Sequence, residues 1–216
     1  MDFTAFVLSQ LPSAPARVLE VGCGAAGGVT PALAEAGYDV LGIDPQAPEG
    51  PRFRRIALEE LEESARFDAV VASRVLHHVH PLQSAIDKLA RLAPLLLVDE
   101  FAHDRVIDDV VTRDWYAQQY RILVAAGHEP DAPPDLVAWH EEHRDLHPST
   151  ALLAAFETRY EQRTLEWRPY LYRWLRGPAT EALEEALIAA DAIKAVGFRY
   201  AGVATSGIVR SAAPSR

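Results

Sequence analysis

Between Arg17 and Val98, short apolar runs alternate with stretches in which apolar side chains recur every three or four residues. The short runs, at 17–21, 39–44, 52–56, 68–73 and 95–99, have the length of strands. Two of them, Ala69-Val70-Val71-Ala72 and Leu95-Leu96-Leu97-Val98, are apolar on both faces, which predicts strands covered from both sides. The helical period appears at 3–11, where Phe3, Phe6, Val7 and Leu11 precede Pro12 and Pro15, and again at 30–36 and 82–93. A Glu-rich turn or helix is expected over 58–64. This alternation predicts a parallel α/β sheet with helices on both faces and ligand sites at the carboxyl ends of its strands.

Past Glu100 the alternation stops, and the chain reads as helix and loop. Asp114-Trp115-Tyr116 opens a helix to Ala126, Pro130 to Pro134 break the pattern, and a further helix is expected from Thr150 to Thr164. An aromatic run follows, Trp167-Arg168-Pro169-Tyr170-Leu171-Tyr172-Arg173-Trp174, and then a helix from Thr180 to Ala195. Apolar runs at 198–203 and 208–210, joined by Thr205-Ser206-Gly207, suggest a terminal hairpin. Three parts result: a core over 1–103 with an N-terminal helix, a helical insertion over 104–180 capping the substrate side, and 181–216, a last helix and hairpin completing the core.

With 216 residues the chain can bury one good core, and its formal charge of −10 would repel a polyanion. Lys and Arg are scattered without a basic run, so no nucleic-acid partner is expected. No segment offers eighteen uninterrupted apolar residues, and Met1-Asp2-Phe3 supplies no basic n-region, so the expectation is a cytoplasmic protein with no membrane partner. Cys23 is the one cysteine, which excludes an intramolecular disulfide and a Cys-based zinc cluster.

The candidate chemistry begins at Val18-Leu19-Glu20-Val21-Gly22-Cys23-Gly24-Ala25-Ala26-Gly27-Gly28, a buried strand emptying into a glycine-rich turn before the helix at Thr30-Pro31. The glycine spacing also satisfies the dinucleotide fingerprint, so the glycines alone leave the ligand open. Glu20 favours a ligand carrying an ammonium and a sulfonium, such as S-adenosylmethionine, over a pyrophosphate. Asp44 ends the next strand, where a carboxylate can accept both hydroxyls of a ribose.

Through Glu20-x-Gly22-Cys23-Gly24-x-x-Gly27, Asp44, and Phe67-Asp68-Ala69-Val70-Val71-Ala72-Ser73-Arg74-Val75-Leu76-His77-His78-Val79, the chain resembles the class I S-adenosylmethionine-dependent methyltransferases. The resemblance spans residues 15–100 and the last twenty. It implies a Rossmann-like, mostly parallel seven-stranded sheet with a terminal antiparallel strand and a helical insertion after the fifth strand. It also implies methyl transfer to a small organic acceptor through an O, N or S nucleophile, with S-adenosylhomocysteine as product. The cofactor residues it implies are Glu20, Gly22, Cys23, Gly24 and Gly27 at the turn, and Asp44 and Pro45 at the ribose. Ala57 and Leu58 would lie at the adenine, Ala57 standing where the family usually has an acid, with Glu59 a substitute. Ser73 and Arg74 would surround the methionine part, and the N-terminal helix would cover the cofactor.

Methyl transfer to a hydroxyl benefits from a base, and Glu100, His77 and His103 are the leading candidates, with His78 and Asp99 beside them. His140-Glu141-Glu142-His143 misses the HExxH metal pattern by one position, so these histidines and His147 are read as a polar helix face and no metal is assigned. The run from Trp167 to Trp174, facing Trp115, Tyr116 and Tyr120, is a candidate clamp for an apolar or anionic substrate. Any homodimer is expected to use the insertion. Two other readings remain: a non-catalytic S-adenosylmethionine-binding module, and an NAD-dependent oxidoreductase, against which Glu20 and the hairpin argue.

Overall fold

The computed structural model describes residues 2–62, 66–130, 132–176 and 178–205. In chain order the elements are α1 (Phe3–Gln10), β1 (Arg17–Val21), α2 (Thr30–Glu35), β2 (Asp39–Ile43), β3 (Phe53–Arg54), β4 (Ala69–Ser73), α3 (Leu82–Leu92), β5 (Leu95–Phe101), α4 (His103–Asp108), α5 (Val110–Ala125), α6 (Leu136–Glu142), α7 (Ser149–Glu157), β6 (Tyr160–Arg168), α8 (Tyr172–Leu175), α9 (Pro178–Ala189) and β7 (Gly197–Ala204). Short 3₁₀ turns sit at Leu58–Glu60 and Leu76–His78.

The seven strands form one sheet in the order β3-β2-β1-β4-β5-β7-β6. The first five run parallel, and β7 enters antiparallel between β5 and β6. Strand periodicity divides the core into two layers. Val18, Val40, Ala69, Val71, Leu95 and Leu97 pack with Phe6, Val7 and Leu33 of α1 and α2. Leu19, Val21, Val70, Ala72, Leu96 and Val98 pack on the other face with Ile86 and Leu89 of α3 and Phe156 of α7. The seven-stranded, mostly parallel sheet with helices on both faces matches the expectation.

The insertion is less purely helical than its sequence pattern suggests. Residues 160–164, expected to continue a helix, instead open β6, which reaches into the aromatic run and pairs with β7 from Tyr160↔Ala204 to Arg168↔Gly197. The helix stops at Glu157 because Tyr160 and the following alternation satisfy an open sheet edge, with a register irregularity between Gln162 and Thr164. β6 thus supplies an antiparallel partner for the last strand, whereas the expected hairpin arm at 208–210 lies outside the described residues. The rest of the insertion forms a third cluster in which Phe101, Val106, Tyr116, Leu136, Tyr170 and Leu171 are buried, with Trp139 and Trp174 packed against them. Phe101, the last residue of β5, joins this cap to the sheet. Among the described residues no helix is long and apolar enough to cross a membrane.

Candidate functional site

At the carboxyl ends of β1, β2, β4 and β5, a cavity of about 790 Å³ opens between the sheet and the cap. Its floor is the glycine turn. Gly22 (φ 78), Gly24 (φ 62), Gly27 (φ 83) and Gly28 (φ 55) all hold left-handed backbone, which side-chain-bearing residues rarely adopt. A Cβ on Gly22 would lie 2.5 Å from the Cβ of Val75, and one on Gly28 would lie 2.0 Å from Glu20 Oε1. A Cβ on Gly24 would meet nothing within 4 Å, so the turn's backbone faces open space there.

Glu20 is completely buried, and its carboxylate is bound to the backbone that follows. Val29 N–H donates to both oxygens (2.9 and 3.1 Å), and Thr30 donates its N–H (2.8 Å) and hydroxyl (2.7 Å) to Oε2. Burial pushes its pKa up, while these donors pull it down. The side chain therefore caps the first turn of α2 and fixes the turn's shape, and it also lines the cavity. Cys23 is a buried free thiol whose pKa rises to about 12 through burial and the neighbouring Glu20 and Asp44. It stays protonated at neutral pH and serves as filler in the turn.

Asp44 is half-buried at the end of β2. Gln46 N–H donates to its Oδ1 at 2.7 Å, and Oδ2 has no hydrogen bond among the described residues. An apolar slot of about 160 Å³ continues from it, lined by Val21, Ile43, Pro45, Ile56, Ala57, Leu58, Glu59, Val75 and Val79. Gly22, Asp44 and His78 border both spaces. An apolar slot, a carboxylate with a free oxygen among the described residues and an open glycine turn follow one another in the order of a base, a ribose and a charged tail. The residues present therefore fit an adenosyl ligand. Ser73 and Arg74 line the cavity at the end of β4, and Arg74 stands in left-handed conformation (φ 55) with its N–H donated to the Asp99 carbonyl at 2.7 Å.

The three candidate bases divide. His77 lines the cavity, and its Nδ1 lies 2.5 Å from Glu100 Oε2. Glu100, expected from sequence to act directly, does not line the cavity. It is 1 % exposed and also accepts from the N–H groups of Val75 (2.9 Å), Leu76 (2.6 Å) and Phe101 (3.3 Å). Both oxygens are thus committed, and three of the four partners lie in the 75–77 segment, which the carboxylate holds in place. His103 is buried on the seam between core and cap and is absent from the cavity wall. Its Nε2 donates to the His147 carbonyl (3.2 Å), so in the neutral ring Nδ1 accepts from His140 Nδ1 (3.2 Å). Burial lowers its pKa. His147 extends the seam, donating its N–H to the His77 carbonyl (2.9 Å) and its Nε2–H to the Val79 carbonyl (3.0 Å).

Of the expected aromatic clamp, Tyr170, Arg173 and Trp174 line the cavity. Trp167 does not, because it packs edge-on against Phe198 with the Arg105 guanidinium 3.8 Å above its ring. Tyr116 is buried in the cap cluster, and Trp115 borders a separate surface groove. Phe101 and Trp139, not singled out from sequence, complete the wall with His143, which was read from sequence as part of a polar helix face. Glu184 was also missed: it is completely buried and accepts the N–H groups of Tyr170 (2.8 Å), Leu171 (3.1 Å) and Tyr172 (2.8 Å), fixing the backbone that carries the wall.

Residues 1–159 match a family model described as a methyltransferase domain. Among solved structures, the chain is similar to a S-adenosylmethionine-dependent methyltransferase from Mesorhizobium loti, at 14 % identity and TM-score 0.57, over 92 % of this chain and 96 % of that one. It is also similar to the 1,6-didemethyltoxoflavin-N1-methyltransferase of Burkholderia thailandensis with bound 1,6-didemethyltoxoflavin and S-adenosylhomocysteine. There the identity is 17 % and the TM-score 0.56, over 94 % of this chain and 76 % of that one. The magnesium protoporphyrin IX methyltransferase of Synechocystis with bound S-adenosylmethionine aligns at 16 % identity and TM-score 0.51, over 94 % and 76 % respectively. No curated protein matches the chain in sequence.

Proposed function

The chain belongs to the class I S-adenosylmethionine-dependent methyltransferases, and from that premise we propose that it methylates a hydroxyl group of a small organic acceptor, with His77 as general base. Bound S-adenosylmethionine supplies an activated methyl group and leaves as S-adenosylhomocysteine. The protein's own contribution is to align the acceptor, exclude water and receive a proton. Asp44 would take the ribose hydroxyls, the slot at Ala57 and Leu58 the adenine, and the turn from Gly22 to Gly28 the amino-acid end, beside Ser73 and Arg74.

The observation that carries the acceptor assignment is the His77–Glu100 pair on the cavity wall. With Nδ1–H donated to Glu100, Nε2 is left as the ring's basic nitrogen. His77 would receive the proton of the acceptor hydroxyl as that oxygen takes up the methyl group. Glu100 touches neither reactant, so it is a positioning residue. It fixes the tautomer and stabilises the imidazolium that forms. The cavity's extension beyond the glycine turn, to Phe101, Trp139 and Trp174, leaves room for an acceptor and supports an enzyme over a bare cofactor-binding module.

The test is release of S-adenosylhomocysteine from S-adenosylmethionine and phenolic acceptors by wild-type and His77→Asn protein. The variant is expected to lose about 10²-fold or more in kcat, along with the pH dependence contributed by the base, while binding S-adenosylhomocysteine as the wild type does. Full activity in the variant would remove His77 from the mechanism.

A further inference from the structure

Two arginines, Arg74 and Arg173, line the cavity beside the carboxylate of Asp99. Asp99, 5 % exposed, accepts from Arg173 Nη2 at 3.0 Å and Arg199 Nε at 3.3 Å. Arg74 lines the same cavity, and its side chain makes no hydrogen bond or ion pair among the described residues, although its charge acts on both Asp99 and Tyr170. Two guanidinium groups thus face the cavity beside one carboxylate, in a chain whose formal charge is −10. Glu100, the nearest other acid on β5, is committed to His77 and backbone N–H groups. Within the cluster, Arg173 Nε is buried with no hydrogen-bond partner among the described residues.

Beside this charge stands a wall of rings. Tyr170 stacks on Phe101 with centroids 4.3 Å apart, Trp174 meets Phe101 edge-on at 5.0 Å, and Trp139 meets Trp174 at 5.3 Å. All four of these residues line the cavity, so together they offer a surface against which a flat ring can lie. Arg173 rises at one end of that surface, its guanidinium 5.5 Å from the Tyr170 centroid.

We propose that the acceptor is an aromatic hydroxy acid, its ring lying on the Phe101–Trp139–Tyr170–Trp174 wall and its carboxylate paired with Arg173. This rests on the methyltransferase reading above and adds the class of substrate. A guanidinium already oriented by Asp99 can present its remaining N–H groups to a carboxylate as a fork, and Arg74 adds a second positive charge. The carboxylate serves as anchor, and the hydroxyl at another ring position is the methylated group, giving an aryl methyl ether, S-adenosylhomocysteine and one proton.

The experiment is calorimetric titration of the full chain, saturated with S-adenosylhomocysteine, with salicylate, 3-hydroxybenzoate and 4-hydroxybenzoate and with the matching neutral amides. At least one acid is expected to bind tenfold or more tightly than its amide. In Arg173→Gln that preference should disappear while affinity for S-adenosylhomocysteine stays within twofold, and Arg173→Lys should restore part of it. If acids and amides bind alike, or if no acid binds the loaded protein, the substrate class is wrong and the methyltransferase reading stands. If S-adenosylhomocysteine itself does not bind, both fall.

Discussion

The sheet and the cap solve the same problem with different materials. At the glycine-turn end of the cavity, Glu20 holds the backbone of Val29 and Thr30. At the aromatic end, Glu184 holds the backbone of Tyr170, Leu171 and Tyr172. Both carboxylates are fully buried, and burial raises the pKa of both against the pull of the N–H groups they accept. The first braces a turn whose glycines already dictate its path, between two aliphatic layers. The second braces a segment with no such local code, inside an aromatic cluster tied to the sheet at Phe101. A site built on glycine conformation and strand ends is fixed locally, whereas one built on a wall of rings depends on where distant helices dock.

The largest break in that comparison comes from Gly28→Ala. Its Cβ would overlap Glu20 Oε1 at 2.0 Å on left-handed backbone, so Glu20 must leave the donors it satisfies. A loss of about 3 kcal/mol in thermal or denaturant unfolding is expected, with loss of S-adenosylhomocysteine binding. A fully stable variant would mean that the turn tolerates another path. Phe101→Ala attacks the joint between the regions, where the ring is 2 % exposed and touches Tyr170, Trp139 and Trp174. It should cost about 3 kcal/mol and should separate cap melting from core melting in hydrogen exchange. Uniform exchange across both regions would show that the cap has no independence.

The smallest effect sharpens the seam. The pKa of His103 is lowered from 6.5 by burial, so between that lowered value and 6.5 the unfolded chain binds more protons than the folded one. Stability should fall as pH drops through 6.5 toward the folded value. Above 6.5 both states hold a neutral ring, and the term vanishes. Protonation also turns Nδ1 into a donor and breaks its acceptance from His140. In melts followed across this range, His103→Gln should flatten part of the dependence, and an unchanged slope would exclude the seam as its source.

How much of this the sequence reveals follows from the same contrast. The turn from Gly22 to Gly28 and Asp44 at a strand end are each contained within a few residues of a strand, so period and spacing locate them, whereas Ala57 and Leu58 are pointed to only by the family resemblance. Glu20 also was legible as a site residue, although its bonds to Val29 and Thr30 show it bracing the turn more than its charge alone implied. The aromatic wall takes Phe101 from β5, Trp139 from α6, Tyr170 from the loop before α8 and Trp174 from α8, a meeting that no local pattern encodes. Glu184 sits in a run with Glu181 and Glu185 that reads as a solvated helix face until the fold buries one member. β6 was hidden for a related reason: its alternation is weak, and it is a strand because β7 offers it an edge.

The division of the cavity is tested most directly by titrating S-adenosylhomocysteine into the wild type, Asp44→Asn and Trp174→Leu, with NAD as the control ligand. The account predicts micromolar binding to the wild type, about tenfold weaker binding to Asp44→Asn, wild-type affinity in Trp174→Leu and no binding of NAD. An equal loss in both variants would show that the cap shares the cofactor site, and binding of NAD in place of S-adenosylhomocysteine would contradict the account at its base.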